Sequence, residues 1–478
     1  MTIRRGFAEI FHDDQIVVAL PALDVVAQAL SGLGVVFGSI ERNAVLRLGL
    51  IRDLKNVEAA VGALRRDGDI GPRLDRIAAE RRGRGHAPAA LDLLVEGLLL
   101  QLARRFPGWI VEIGKNYRPS HVMGHPHIGG GGDGDPVPAD APRPHIGGGG
   151  NPRHPHVGGG GAADPVPAKA PPLPHIGGGG NPRHRHHGGD EREPTAGRGV
   201  RVGVLDTAMF PGPSLTGRYI ARSQDILDPG QEQFTVFDGH CAFVTSCIVE
   251  QAPAAEIHVR TVLGSDGDGS AWDAAVAIAE MAETGVDVVN LSFGEYRTDD
   301  DAAPMVLRTA VKRLDPGTVV VAAAGNNGDV DSLPAQFVPR GLKANSVSYP
   351  AALPDVVGVG ALDRNGDLAS FTPHPAPWIR LLAPGVGLTG AYVRGTVLIE
   401  HKDRDGKVVD AKPVRFPGWA IWGGCSFAAA IVSGAIAART VPGRRSARQA
   451  LDELFHPDQG GGPGASRGIR PADPAQLR

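Results

Sequence analysis

From about Pro119 to Gly197 the chain is a repetitive tract of glycine, proline and histidine, and no compact core can run through it. HIGGGG begins at His127, His145 and His175, and the variant HVGGGG at His156. The longer unit HIGGGGNPRH recurs at 145 and 175, and DPVPA stands at 135 and again at 164. Each repeat offers a core only one Ile or Val. That is too little apolar surface to offset the entropy of ordering the backbone. The segment 118–197 therefore reads as a flexible Gly/Pro/His-rich linker rather than a solenoid. Ten of the 17 histidines fall in it, which raises a metal-binding alternative, but no spacing repeats tightly enough to define a coordination sphere. Any fold must be built on either side of this tract.

Composition removes several function classes. With 49 Lys and Arg against 52 Asp and Glu, net charge −3, the electrostatic case for a dedicated nucleic-acid or anionic-membrane binder is gone. No run of about 18 apolar residues occurs, so no membrane span is expected. Three cysteines make no disulfide framework. The first residues carry positive charge, but Glu9, Asp13 and Asp14 break the apolar runs and no clear small-x-small cleavage site follows. The expectation is a cytoplasmic protein without a signal peptide.

Ahead of the linker, residues 8–117 read as a small mixed α/β domain. QIVVAL (15–20), AVLRLGL (44–50) and WIVEIG (109–114) have strand character, and 25–33, 57–66 and 91–105 have helical periodicity. No catalytic or nucleotide motif occurs in it. A docking module, a regulatory unit with its own protein partner, and an inhibitory prosegment all remain open. The long tether favours a separable module, because tethered parts meet only at modest effective concentration.

Beyond the linker, residues 198–440 alternate apolar runs with helical segments. The runs are 200–206, 256–263, 287–294, 317–326, 355–362 and 378–385, with helices expected at 271–283 and 305–313. Continuous Val/Ile/Leu runs indicate strands covered on both faces, as in a parallel α/β sheet flanked by helices. The remainder, 441–478, reads as one brief helix and a frayed tail.

Functional groups of open α/β sheets gather at the carboxyl ends of strands. Asp206 ends the first strand (VGVLDT), His240 opens an apolar helical run, and Ser426 follows Gly423-Gly424-Cys425 at the start of an Ala-rich helix. Each alone is a weak signal; a strand-end Asp or a helix-initial Ser commonly serves as a cap. Together they supply a nucleophile, a base to take its proton and an acid to orient the imidazole. Asp before His before Ser is the chain order of the subtilisin class.

Over about 198–440 the sequence resembles the subtilisin-like serine proteases, the subtilases. The resemblance implies Asp206 as orienting acid (VGVLDTA), His240 as general base (His240-Cys-Ala-Phe-Val) and Ser426 as nucleophile (Gly424-Cys-Ser-Phe-Ala-Ala-Ala). VVVAAAGNNG (319–328) corresponds to the oxyanion-hole segment and places that role on Asn326. VVNLSFG (288–294) corresponds to the segment that pairs with substrate backbone, placing Ser292, Phe293 and Gly294 along the cleft, with Gly325 allowing close approach. LASFTPHPAPWIRLLAPG (368–385) follows the family pattern of a turn leading into a strand ending in APG. The implied activity is endopeptidase cleavage of protein or peptide substrates through an acyl-enzyme, with no cofactor required. Structural calcium is frequent in the family, yet no carboxylate loop of defined spacing occurs here. GSDGDGS (264–270) reads as a helix cap.

The departures are Ala208, Cys241, Ala242, Phe243, Cys425 and Ala430 in place of the family's Gly, Gly, Thr, His, Thr and Pro. None removes a group with a chemical role, but they mark a divergent branch and keep a catalytically weak, subtilase-fold binding protein as the competing reading. Cys241 and Cys425 adjoin the base and the nucleophile, so alkylation of either, if accessible, would impair activity. An additional stretch, 396–416, carries Asp405-Gly406 between partly alternating flanks, a hairpin signal placed shortly before the nucleophile.

Overall fold

The computed structural model describes residues 11–83, 88–119, 137–139, 193–297, 303–330, 342–402, 408–456 and 468–473. The histidine repeats, most of the segment read as a linker, and the Asp405-Gly406 turn lie outside the described residues.

The N-terminal unit runs β1 (Phe11–Ala19), α1 (Leu23–Gly32), β2 (Ser39–Asn43), β3 (Leu48–Arg52), α2 (Val57–Arg66), α3 (Gly71–Gly83), α4 (Ala90–Arg105) and β4 (Ile113–Tyr117). Its strands pair antiparallel in the order β2-β3-β1-β4. The strand expected at 44–50 is instead a turn entering β3. The closing strand begins later than expected, because the chain first turns where Phe106 and Trp109 pack edge to face at 5.4 Å. Helix α3 was not anticipated; its apolar stripe amounts to little more than buried Leu74 and Ala78 among charged residues. Ile16, Val17 and Val18 are all fully buried, as are Leu50 and Ile51. Since neighbouring strand residues point to opposite faces, this sheet is covered on both sides.

Past a short strand, β5 (Val137–Pro138), the larger region begins. It runs β6 (Arg201–Asp206), β7 (Tyr219–Ile220), β8 (Phe234–Thr235), α5 (His240–Gln251), β9 (Glu256–Thr261), α6 (Ala271–Thr284), β10 (Val288–Leu291), β11 (Glu295–Arg297), α7 (Met305–Val311), β12 (Val319–Ala323) and β13 (Val347–Tyr349). It continues through β14 (Val356–Leu362), β15 (Ile379–Pro384), β16 (Leu388–Lys402), β17 (Val408–Trp422), α8 (Cys425–Arg439), α9 (Ala447–Phe455) and β18 (Arg470–Pro471). Among the described residues the main sheet has the order β18-β15-β14-β12-β10-β6-β9-β7. Its pairings are parallel except at β18, which joins β15 antiparallel. The tail expected to fray thus returns to close a sheet edge. Helices α5 and α8 share one hydrophobic cluster with this sheet, and α6 and α7 share another.

That second cluster also contains the core of the N-terminal unit. Strand β4 lies against α6 and α7, so helices of the larger region cover one face of the N-terminal sheet while its own helices cover the other. Polar contacts fix the seam. Asn116 donates to Ser270 Oγ at 3.1 Å and its carbonyl accepts the Trp272 N–H at 2.9 Å. Glu41 accepts the Trp272 indole N–H at 2.8 Å. Ser270 is itself the N-cap of α6 and accepts the Asp273 N–H at 3.3 Å, the capping role expected of 264–270. One β4 side chain therefore completes the first turn of α6, where N–H groups lack intrahelical partners. The two regions are not merely tethered; they share a core.

The expected hairpin is present as β16 and β17, fifteen residues each, in a second sheet of order β5-β17-β16-β8. Its base is internal to the fold: Tyr392, Phe416 and Trp422 are buried.

Candidate active site

Asp206 closes β6, where it is still paired with Thr261 of β9, and is fully buried. Its Oδ1 lies 2.8 Å from His240 Nδ1 and accepts the Thr207 N–H at 2.7 Å. The Thr207 hydroxyl lies 3.1 Å from the Phe237 carbonyl and accepts the Cys241 N–H at 3.3 Å. The strand end is thereby tied to the first turn of α5, whose first residue is His240. The His240 ring, 2% exposed, is walled by Trp422 edge-on at 5.5 Å and by Phe427 at 5.3 Å.

Ser426 sits in the first turn of α8, 4% exposed. Its hydroxyl donates to the Ser292 carbonyl at 3.1 Å, and the Ser292 hydroxyl donates to the Ser426 carbonyl at 2.9 Å. Behind this reciprocal pair, Asn290 Nδ2 donates to Ser292 Oγ at 2.8 Å and Ser433 Oγ donates to Asn290 Oδ1 at 2.9 Å. All four residues are buried, so the chain of bonds satisfies polar groups that would otherwise cost about 1–3 kcal/mol each. Asn290 and Ser433 went unread in the sequence; the one hint was an Asn inside an otherwise apolar strand.

Asn326 follows β12 and is buried. Its Oδ1 accepts the Cys425 N–H at 2.9 Å, and its own N–H donates to the Tyr296 hydroxyl at 3.0 Å. Gly325 before it has φ +110°, where a side chain would be strained, and a Cβ would approach Asn327 Oδ1 to 2.8 Å. Among the other residues expected to line the cleft, Phe293 is fully buried in the core shared with the N-terminal unit. A Cβ on Gly294 would collide with Ser348 Oγ. Both residues are thus set by internal packing, and β11, directly after them, is already paired with β13.

The profile of the Subtilase family matches residues 197–441, just over half of the chain. The chain belongs to the subtilase family. Subtilisin BL of Lederbergia lenta is 31% identical over 209 residues, covering 42% of this chain and 69% of that protein. A thermophilic serine proteinase of Bacillus sp. (strain AK1) is 31% identical over 216 residues, covering 41% of this chain and 48% of that one. Among solved structures, the MycP3 protease of the type VII (ESX-3) secretion system is 25% identical with a TM-score of 0.41, covering 59% of this chain and 84% of that chain. A lanthipeptide protease is 23% identical with a TM-score of 0.37, covering 53% and 78%. Family membership and the subtilisin relative make this subtilase a serine-type endopeptidase.

The subtilase's three cysteines are buried, and none is in a disulfide. Burial pushes the Cys241 thiol well above its ordinary pKa, and the Asp206 carboxylate pushes it further; burial does the same to Cys247. The accessibility on which alkylation would depend is absent. Among the described residues no group of three or more His, Cys, Asp or Glu side chains could hold a metal ion, and no helix is long and apolar enough to cross a membrane.

Proposed function

We propose that this subtilase hydrolyses peptide bonds in protein or peptide substrates with Ser426 as nucleophile, His240 as general base and Asp206 as orienting acid. The observation that carries the reading is the 2.8 Å contact between Asp206 Oδ1 and His240 Nδ1, both side chains buried. A carboxylate on Nδ1 fixes the proton there, leaves Nε2 as the basic nitrogen, and stabilises the imidazolium that forms. In the resting arrangement the Ser426 hydroxyl rests on the Ser292 carbonyl. Rotation about its Cα–Cβ bond delivers the proton to Nε2 as Oγ attacks. The Asn326 amide N–H2 and the Ser426 N–H then receive the developing oxyanion, and water activated by His240 releases the acyl group.

The N-terminal unit acts in cis, as a docked regulatory or prosegment-like element. Its last described residue supports this, since the Pro119 carbonyl accepts the Gly269 N–H at 2.9 Å, in the loop just ahead of α6. Its partner is the protease itself.

A fluorophosphonate probe tests the assignment. The intact protein is expected to carry one adduct, mapped to Ser426. Ser426→Ala should carry none, and Asp206→Asn should lose about 10⁴ in turnover. An adduct persisting in Ser426→Ala would refute the nucleophile.

A further inference from the structure

Strand β5 is a fragment of the repeat tract, and it is seated on the outer edge of β17. Pro138 stands opposite Ala420 and Val137 opposite Ile421, antiparallel, and the Ala139 N–H donates to the Trp419 carbonyl at 3.2 Å. In an antiparallel ladder, hydrogen-bonded and non-bonded pairs alternate. Ala139 and Val137 therefore take the bonded positions, and Pro138, which has no N–H to offer, falls at the non-bonded one. Pro136 precedes in the same alternation. A Pro-x-Pro-x segment keeps its donors on one side only. It can pair with β17, and it cannot template a further strand on its other side.

The same five residues occur a second time. Asp164-Pro165-Val166-Pro167-Ala168 repeats Asp135-Pro136-Val137-Pro138-Ala139 without a difference, and Ala-Pro follows one residue later in both copies. A sheet edge that accepts the first copy through its backbone has no chemical means of refusing the second. We propose that the β17 edge at Trp419 and Ile421 is a docking site for the DPVPA segments of this chain, and that residues 164–168 take the place of β5 on it. Exchange leaves the edge covered in both states. It changes how much chain lies between the N-terminal unit, which ends at Pro119, and the docked strand: residues 120–136 in one state and 120–165 in the other. The repeat is thus a means of paying out chain between the two folded regions while the sheet beside His240 stays closed, since Trp422 ends the strand that carries the dock.

Residue-level amide exchange at Trp419 and Ile421 tests this, in full-length protein carrying Ser426→Ala so that the linker stays intact. Val137→Pro with Ala139→Pro removes both donors of the first copy, and Val166→Pro with Ala168→Pro those of the second. The two amides are expected to exchange slowly in the parent and in either double variant. They should speed up about tenfold or more only when all four substitutions are combined. Fast exchange in the first double variant alone would show that residues 164–168 do not dock. Slow exchange in the quadruple variant would show that the edge is held by something other than these segments. Either result overturns the proposal.

Discussion

The side-chain carbonyl of Asn326 accepts the backbone N–H of Cys425 at 2.9 Å, one residue ahead of Ser426. That bond decides which end of the amide is oxygen and which is N–H2. On the other side, the Asn326 N–H is held by the hydroxyl of Tyr296, a buried ring whose burial pushes its pKa well above the ordinary value. Asn326 is thus held both at its side-chain oxygen and at its backbone N–H, and under the proposed oxyanion role this would place its donor without reorganisation.

Asn326→Ala should lower kcat by about 10²–10³ and leave KM nearly unchanged, because the donor's bond strengthens in the transition state. Tyr296→Phe removes a single neutral bond worth about 1 kcal/mol and should lower kcat only several-fold. Steady-state kinetics on a peptide substrate separate the two. A change confined to KM in Asn326→Ala would remove it from the oxyanion site.

Native protein treated with iodoacetamide near neutral pH should gain no mass at Cys241 or Cys247, and unfolded protein should be modified at all three cysteines. The thiolate is the reactive species, and burial disfavours it. The measurement is intact mass followed by peptide mapping. Stoichiometric native labelling at Cys241 would mean that the first turn of α5 opens readily.

Legibility in the sequence followed the range of the interactions. Asp206 ends a strand, Asn326 follows one, and His240 and Ser426 open helices. Strand ends in a parallel sheet converge by topology, so these positions could be singled out from their order together with the family resemblance, although each alone was a weak signal. Ser292 was legible as part of a backbone-pairing segment, but its bond to the Ser426 carbonyl was not, because a serine hydroxyl has no preferred partner until packing supplies one. Asn290 and Ser433 were missed for the same reason. The seam between Asn116 and Trp272 joins residues 156 positions apart, across a tract that carries no pairing signal. The linker reading argued for separation. The continuous burial of Ile16, Val17 and Val18 was the sign that something outside the N-terminal unit covers its sheet.

Asn116→Ala should weaken the seam. It strips the Trp272 N–H and Ser270 Oγ of a buried partner, at a cost of about 1–3 kcal/mol. Asn116→Asp keeps an acceptor for the Trp272 N–H and should cost less. Thermal denaturation of the full chain checks the order, with the Ala variant melting lowest. Equal melting temperatures for wild type and Asn116→Ala would show that the capping contact contributes nothing to docking.

Trp422 links the hairpin to the chemistry. Its ring stands edge-on to His240 at 5.5 Å and also packs on Phe243, Tyr392 and Phe427 at 5.1–5.8 Å. Truncating so large a buried ring leaves a cavity and typically costs about 3–5 kcal/mol. If His240 is the base as proposed, part of the loss should appear in catalysis, because the cavity lies against its imidazole and a shift of about 1 Å suffices to impair proton transfer. Trp422→Phe keeps an aromatic wall and should restore most of the stability. If the wall positions the base, kcat in Trp422→Ala should fall by more than tenfold below the melting transition, with KM little changed, and Trp422→Phe should recover most of it. Wild-type kcat in a folded Trp422→Ala, measured at a temperature where circular dichroism shows no unfolding, would reduce Trp422 to a core residue that happens to lie beside the site.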